Sequence, residues 1–321
     1  MNLTFEQIKE FAVGAVKITK EGDKIRLQRM PDELEAVYKE LSPDWYSKSR
    51  CSTDCCLEFH TDSRHLRLDF SVDFIDSNTW AKYEIFVDGL PLVYVKERGD
   101  RHTVVASLPE GDKHVSVCLP CHNIGYIRNV TVDDGSYVKP HRFDRKFLFL
   151  GDSITQGYSA DHDAQAYSCT VARYYNAASV NWAVGGARFR EETVMATDFD
   201  PDVVFVAYGT NDYTHLPADT YLANCTAYLD KIKNLFGNKK VFVISPIWRA
   251  DCEILRGAGV LDDCRALVAR EAEKRGFIHV DGYRLVPHNS EYFSDGFLHP
   301  NDLGFAHYSR NLIQFLQPIL K

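Results

Sequence analysis

The chain has 321 residues, a formal net charge of -8, 45% hydrophobic and 26% charged residues, which suits a globular protein burying one large core or two moderate ones. No run of Lys and Arg interleaved with aromatics could follow a phosphate backbone, so no nucleic-acid partner is expected. No stretch nears the roughly 18 apolar residues of a membrane span, and Met1 to Lys20 lacks a basic segment followed by an apolar block, so no membrane partner and a cytoplasmic address are expected.

From about Val16 to Val138 the sequence reads as short strands: Lys24 to Gln28, Cys56 to His60, Leu66 to Phe74, Ala81 to Val87, Leu92 to Val95, His102 to Ser107 and Lys113 to Leu119. Several alternate apolar with polar, as Leu66, Leu68, Phe70 and Val72 do. Turn signals such as Asp88-Gly89 and Glu110-Gly111-Asp112 separate them, the pattern of an antiparallel β-sandwich or jelly roll. Nine cysteines is an odd number, so at least one lies outside any intramolecular disulfide, which fits a reducing compartment. Cys118 and Cys121 have the two-residue gap common in zinc sites, but Val115, Val117 and Leu119 alternate around Cys118 as in a strand, so buried thiols and no metal are expected.

Near Asp133-Asp134-Gly135 the texture changes. After Pro140 come apolar strands at Lys146 to Leu150, Val180 to Val184, Val203 to Ala207, Val241 to Ser245 and Phe277 to Val280. Helical segments at Ala164 to Tyr175, Asp219 to Leu235, Asp262 to Arg275 and Asp302 to Leu316 alternate with them, which predicts a parallel sheet covered on both faces. The expected division is a sandwich domain at 1–140 and an α/β domain at 141–321. In such sheets ligands bind beyond the carboxyl ends of the strands.

Gly151-Asp152-Ser153 follows the first of these strands, and its serine is expected on a strand-to-helix turn, where N–H groups and the helix dipole favour developing negative charge. Gly185-Gly186 follows the second strand and Gly209-Thr210-Asn211-Asp212 the third; glycine admits close approach of an N–H, and an asparagine amide is a neutral oxyanion donor. Ahead of the last helix, Asp295 and His299 place a carboxylate near an imidazole, with Asn301 or Asp302 suited to cap the helix. Singly, each residue also suits a cap or a turn; together they fall at the ends of separate segments that one sheet edge could unite.

Gly151-Asp152-Ser153, Asn181 with Gly186, Gly209-Thr210-Asn211-Asp212, and Asp295 with His299-Pro300-Asn301 together resemble the SGNH (GDSL-type) hydrolase superfamily over residues 147 to about 316. The resemblance implies a flavodoxin-like three-layer α/β/α fold, Ser153 as nucleophile, His299 as general base and an oxyanion hole from the Ser153 and Gly186 N–H groups and the Asn211 side chain. The family usually places its aspartate three residues before the histidine. Here that position is Gly296, so either the loop bulges by one residue and Asp295 reaches the ring, the favoured reading, or a backbone carbonyl orients the histidine, as in some members of the family. A β-sandwich ahead of such a domain resembles two-domain carbohydrate esterases and related acyltransferases.

The expectation is therefore a serine esterase acting, without a cofactor, on short-chain and above all acetyl esters of a carbohydrate or other small molecule. The alternatives are an acyltransferase with the same residues and a non-catalytic carbohydrate-binding protein. Asp152, Tyr158, Trp182, Trp248 and Arg249 are the candidate substrate contacts, with the Trp248-Arg249 pair foremost, and a homo-oligomer is left open.

Overall fold

Three sheets organise the computed structural model, which describes residues 1–75 and 80–320. The first, antiparallel, runs in the order Ala12–Val13, Cys56–Thr61, Lys113–Cys118, Ala81–Val87, Leu90–Glu97, with Val138–Pro140 also paired to Cys56–Thr61. The second runs Lys17–Glu21, Lys24–Gln28, Ile124–Val132, His65–Asp73, Arg101–Ser107. Their inner faces share one core, in which Phe70 of the second sheet stacks on Tyr83 of the first at 4.3 Å. Alternating burial along Arg101–Ser107 shows the cause: every second side chain meets the other sheet and the rest face solvent.

The third sheet is parallel. Its order, Ala177–Asn181, Arg145–Gly151, Val203–Ala207, Lys240–Ile244, Ile278–Val280, is the 2-1-3-4-5 arrangement of flavodoxin-like folds, as expected. Successive residues point to opposite faces. Phe147, Phe149, Phe205 and Phe242 pack with Tyr167–Tyr174 and Asp302–Leu316, while Leu148, Leu150, Val204, Val206 and Val243 pack with Ala218–Phe236 and Leu261–Lys274. Phe149 and Phe242 stack on Phe205 at 4.8 and 5.4 Å; burying each such ring stabilises the fold by about 1.5–3 kcal/mol.

Two departures from the sequence reading bear on the site. Ile124–Val132, expected as no strand, lies at the centre of the second sheet; a bulge between Ile127 and Asn129 shifts its register, so the inward residues Ile127, Val130 and Val132 break strict alternation. The second is a helical pair, Asp32–Leu41 and Pro43–Ser49, within what reads as all β. Pro31 precedes the first helix, and Ser42 caps the second by accepting the Trp45 N–H, with Pro43 in its first turn. Met30, Leu34, Tyr38 and Trp45 pack with Trp182, Val184 and Phe189 in the core on the parallel sheet. An element from the amino-terminal half thereby reaches the carboxyl ends of the parallel strands.

Candidate active site

Strand Arg145–Gly151 delivers Gly151-Asp152-Ser153 to the carboxyl edge of the parallel sheet. A Cβ on Gly151 would fall 2.2 Å from Thr155 Oγ1 and 2.8 Å from the Ala207 carbonyl oxygen, so glycine alone fits there. The chain then runs in turns, the Gln156 N–H donating to Asp152 O and the Tyr158 N–H to Ser153 O, and the next α-helix starts only at Tyr167. The expected strand-to-helix turn is corrected accordingly: no α-helix follows directly on Ser153 in the chain. Asp152 accepts the Ile154 N–H at 3.0 Å and is 2% exposed, and burial pushes its carboxyl up to about 7. It faces inward and makes no part of a substrate surface, contrary to expectation.

Ser153 Oγ lies 2.9 Å from His299 Nε2, and His299 Nδ1 lies 2.8 Å from Asp295 Oδ2. Residues 146 positions apart thus stand in one line, and the spacing departure explains itself at Gly296. Its φ of +66° forms the one-residue bulge, and Asp295 Oδ1 accepts the N–H groups of Phe297, Leu298 and His299 at 2.9, 2.7 and 3.2 Å. The loop is closed by the Ser294 N–H donating to His299 O and the Asn301 N–H to Tyr292 O. Partial burial raises the Asp295 carboxyl, but the N–H donors of Leu298, the His299 ring and Phe297 outweigh it and hold it below the usual range. Asn301 caps the following helix by accepting the Gly304 N–H; Asp302 instead accepts the Asp161 N–H and pairs with His162.

The loop after Ala177–Asn181 is held donor by donor. Asn181 Oδ1 accepts the Ala183 N–H, the Gly151 carbonyl the Val184 N–H, Gln156 Oε1 the Gly185 N–H, and Asp212 Oδ1 the Phe189 N–H. Asn211 Nδ2 donates to Ala187 O at 3.0 Å, using one of its two amide hydrogens. Among the described residues, the N–H groups of Ser153 and Gly186 donate to no acceptor. Burial pushes the Asp212 carboxyl up to about 7 as well.

Of the expected substrate contacts, Tyr158 stands at the site, its ring 5.8 Å from that of His299. Trp182 does not: it is fully buried and its indole N–H donates to Arg29 O. Arg249 is also corrected, because its guanidinium is buried, paired with Asp251 and spent on Thr210 O, Thr210 Oγ1 and Thr214 Oγ1. Trp248 packs against Phe293 and His288 at 5.3 and 6.0 Å, behind the histidine loop rather than on Ser153. Cys118 Sγ faces Cys56 Sγ at 3.0 Å across the sandwich strands, and the buried Cys121 thiol points to Asp163 O.

Three side chains at the site escaped the sequence reading. The Trp45 indole Nε1 lies 3.2 Å from where a Gly186 Cβ would stand, the Lys48 stem 3.3 Å from where a Gly185 Cβ would stand, and the Arg188 charge centre lies over the Trp45 ring, 5.7 Å from its centroid. Gln156 ties these parts together, its amide donating to Lys48 O and Thr53 Oγ1. Ser42-Pro43 is the one sequence signal that could have revealed this helix.

A serine at the edge of a parallel sheet, in line with an imidazole and a carboxylate from the loop before the last helix, fits an esterase-type hydrolase. Residues 149–307 match the GDSL-like lipase/acylhydrolase family. No curated protein matches the chain significantly. Among solved structures, one assigned as a GDSL-like lipase, from Bacteroides ovatus, is 18% identical, covering 100% of this chain and 98% of its own with a TM-score of 0.80. A salicylyl-acyltransferase from a tetracycline biosynthetic pathway is 17% identical over 96% of this chain and 95% of its own, with a TM-score of 0.78. A family two carbohydrate esterase from Cellvibrio japonicus is 15% identical over 98% and 96%, with a TM-score of 0.67. At such identities the likeness is one of fold, and it spans the sandwich as well as the parallel sheet.

Proposed function

We propose that the protein is a serine esterase that hydrolyses short-chain acyl esters, acetyl esters of a carbohydrate first among them. The observation that carries the reading is the line from Ser153 Oγ through His299 to Asp295, at 2.9 and 2.8 Å. An ionised Asp295 can only accept, which keeps the ring proton on Nδ1 and leaves Nε2 free to take the Ser153 proton. Ser153 Oγ then attacks the ester carbonyl, and the oxyanion rests on the Ser153 and Gly186 N–H groups, otherwise unclaimed, and on the second hydrogen of the Asn211 amide. The imidazolium gives its proton to the leaving alcohol oxygen as the ester C–O bond breaks. Water, deprotonated by the same ring, attacks the acyl-enzyme and releases the acid.

The amino-terminal domain, residues 1–140, supports this site through the helix Pro43–Ser49, which lies against Gly185 and Gly186. The carbohydrate esterases among the structural neighbours favour a sugar alcohol, and the salicylyl-acyltransferase favours, as the second reading, transfer to an acceptor other than water. Ser153→Ala tests the scheme: turnover of p-nitrophenyl acetate and labelling by a fluorophosphonate probe are both expected to disappear. Retained turnover refutes it. An added sugar acceptor that diverts the acyl group from water to a new ester selects the transferase reading.

A further inference from the structure

Arg188 is two residues beyond Gly186, on a loop locked by Asn211 at Ala187 O and by Asp212 at the Phe189 N–H. The guanidinium lies over the Trp45 ring with its charge centre 5.7 Å from the centroid, and it has no hydrogen-bond or ion-pair partner among the described residues. A cation–π contact occupies no polar acceptor, so the five N–H donors of the guanidinium remain unspent. None of its nitrogens is both sealed from solvent and unpartnered, unlike Nε of Arg190 on the same loop. The contrast with the other arginines around the site is direct: Arg249 and Arg256 are both neutralised by Asp251.

Arg188 also stands in a series. Trp45 touches the Gly186 position; one turn on along the same helix, Lys48 touches the Gly185 position, and its Nζ lies 5.7 Å from the Tyr158 ring. Tyr158 in turn faces the His299 ring. A fence of alternating cations and aromatic rings therefore borders the site from the glycine loop to the histidine. Lys48 is partly neutralised by Asp44 at 2.8 Å, which leaves Arg188 as the open charge. Burial depresses the pKa of His215, and the nearby Arg188, Arg249 and Arg256 add to that depression, as expected for a positive local field on a chain of net charge -8.

We infer that Arg188, backed by Trp45, determines specificity by binding a carboxylate carried by the ester substrate, so that the enzyme prefers anionic esters over neutral ones of the same size. This rests on the esterase reading of Ser153. A planar fork with free donors matches a carboxylate bidentately, and the aromatic backing holds the fork in place before the substrate arrives. The carboxylate can sit on the acyl side, as in a half-ester of a dicarboxylic acid, or on the alcohol side, as in an acetylated hydroxy acid or uronic acid.

The test uses the full chain and two matched pairs: monoethyl succinate against ethyl butanoate for the acyl side, and acetoxyacetate against ethyl acetate for the alcohol side. In the wild type, kcat/KM is expected to favour the anionic member of one pair at least tenfold, and that pair identifies the side. In Arg188→Gln the preference is expected to fall at least tenfold, chiefly through KM, with partial recovery in Arg188→Lys, and it should weaken with added salt. A second readout needs no turnover: succinate or glycolate, the carboxylates left after hydrolysis, should change tryptophan fluorescence saturably, with a Kd at least tenfold weaker in Arg188→Gln. No anionic preference and no saturable binding in the wild type overturns the proposal, as does an Arg188→Gln enzyme that keeps the preference. Failure of the esterase reading looks different, since Ser153→Ala would then retain turnover on every ester while carboxylate binding at Arg188 persisted.

Discussion

Asp295→Asn separates two tasks that one carboxylate performs with different oxygens. Oδ1 takes the three loop N–H groups of Phe297, Leu298 and His299, while Oδ2 takes the ring Nδ1–H at 2.8 Å. An asparagine keeps its single carbonyl oxygen on the side of the three backbone donors, because an NH2 group there would face three N–H groups. Its NH2 then meets Nδ1, donor against donor, unless the ring changes tautomer and presents Nε2–H to Ser153. In that tautomer Nε2 has no lone pair to accept the serine proton. The loop loses little, so the thermal midpoint should move by no more than about 3 °C. The rate loses its base: kcat on p-nitrophenyl acetate should fall on the order of 10²- to 10⁴-fold with a much smaller change in KM. Asp295→Ala, which removes both oxygens, should add a larger loss of stability to the same loss of rate. An Asp295→Asn enzyme with kcat within twofold of wild type would show that the carboxylate does not set the ring's proton, and the reasoning from its two oxygens would fail.

Gly296→Ala probes the bulge that carries Asp295 to the ring. No atom lies within 4 Å of the added methyl, so the cost is the left-handed backbone at φ +66° alone, about 1 kcal/mol. Turnover should fall about fivefold, and less in Gly296→Asn, because asparagine tolerates that conformation; an alanine variant with unchanged turnover means the bulge does not govern Asp295. The pH dependence of stability follows from three carboxyls, Glu84, Asp152 and Asp212, each pushed up to about 7 by burial. The unfolded chain releases these protons near pH 4 and the folded chain only near 7, so their stabilising contribution is complete below about pH 4 and is lost as pH rises through that window. Thermal midpoints between pH 4.5 and 8 should decline toward neutrality, and the decline should be shallower in Glu84→Gln; parallel curves for the two proteins refute the assignment to Glu84.

Burial explains where the sequence reading went astray. Trp182, Trp248 and Arg249 follow strand ends, where ligand contacts concentrate, yet a strand end also feeds the core beneath the site. Trp182 was claimed by the helical pair at 32–49, and Arg249 by the acid two residues on. Neither partner can be read from the local sequence, since one lies more than 130 positions away and the other pairs only through a particular loop conformation. Ile124–Val132 was hidden for a local reason, a bulge that moves the inward residues out of phase.

What the sequence determined by itself is what periodicity and chain order encode. Five apolar segments alternating with helices dictate a parallel sheet, and parallel strands bring the residues that follow them to one edge, so Ser153, Gly186 and Asn211 had to share a rim. Only the tertiary structure decided which amino-terminal element would reach that rim. The helix Pro43–Ser49 is too short to be stable alone and takes its place from apolar packing across the two halves of the chain. Trp45 and Lys48 consequently border the glycine loop through long-range burial, which no local pattern records.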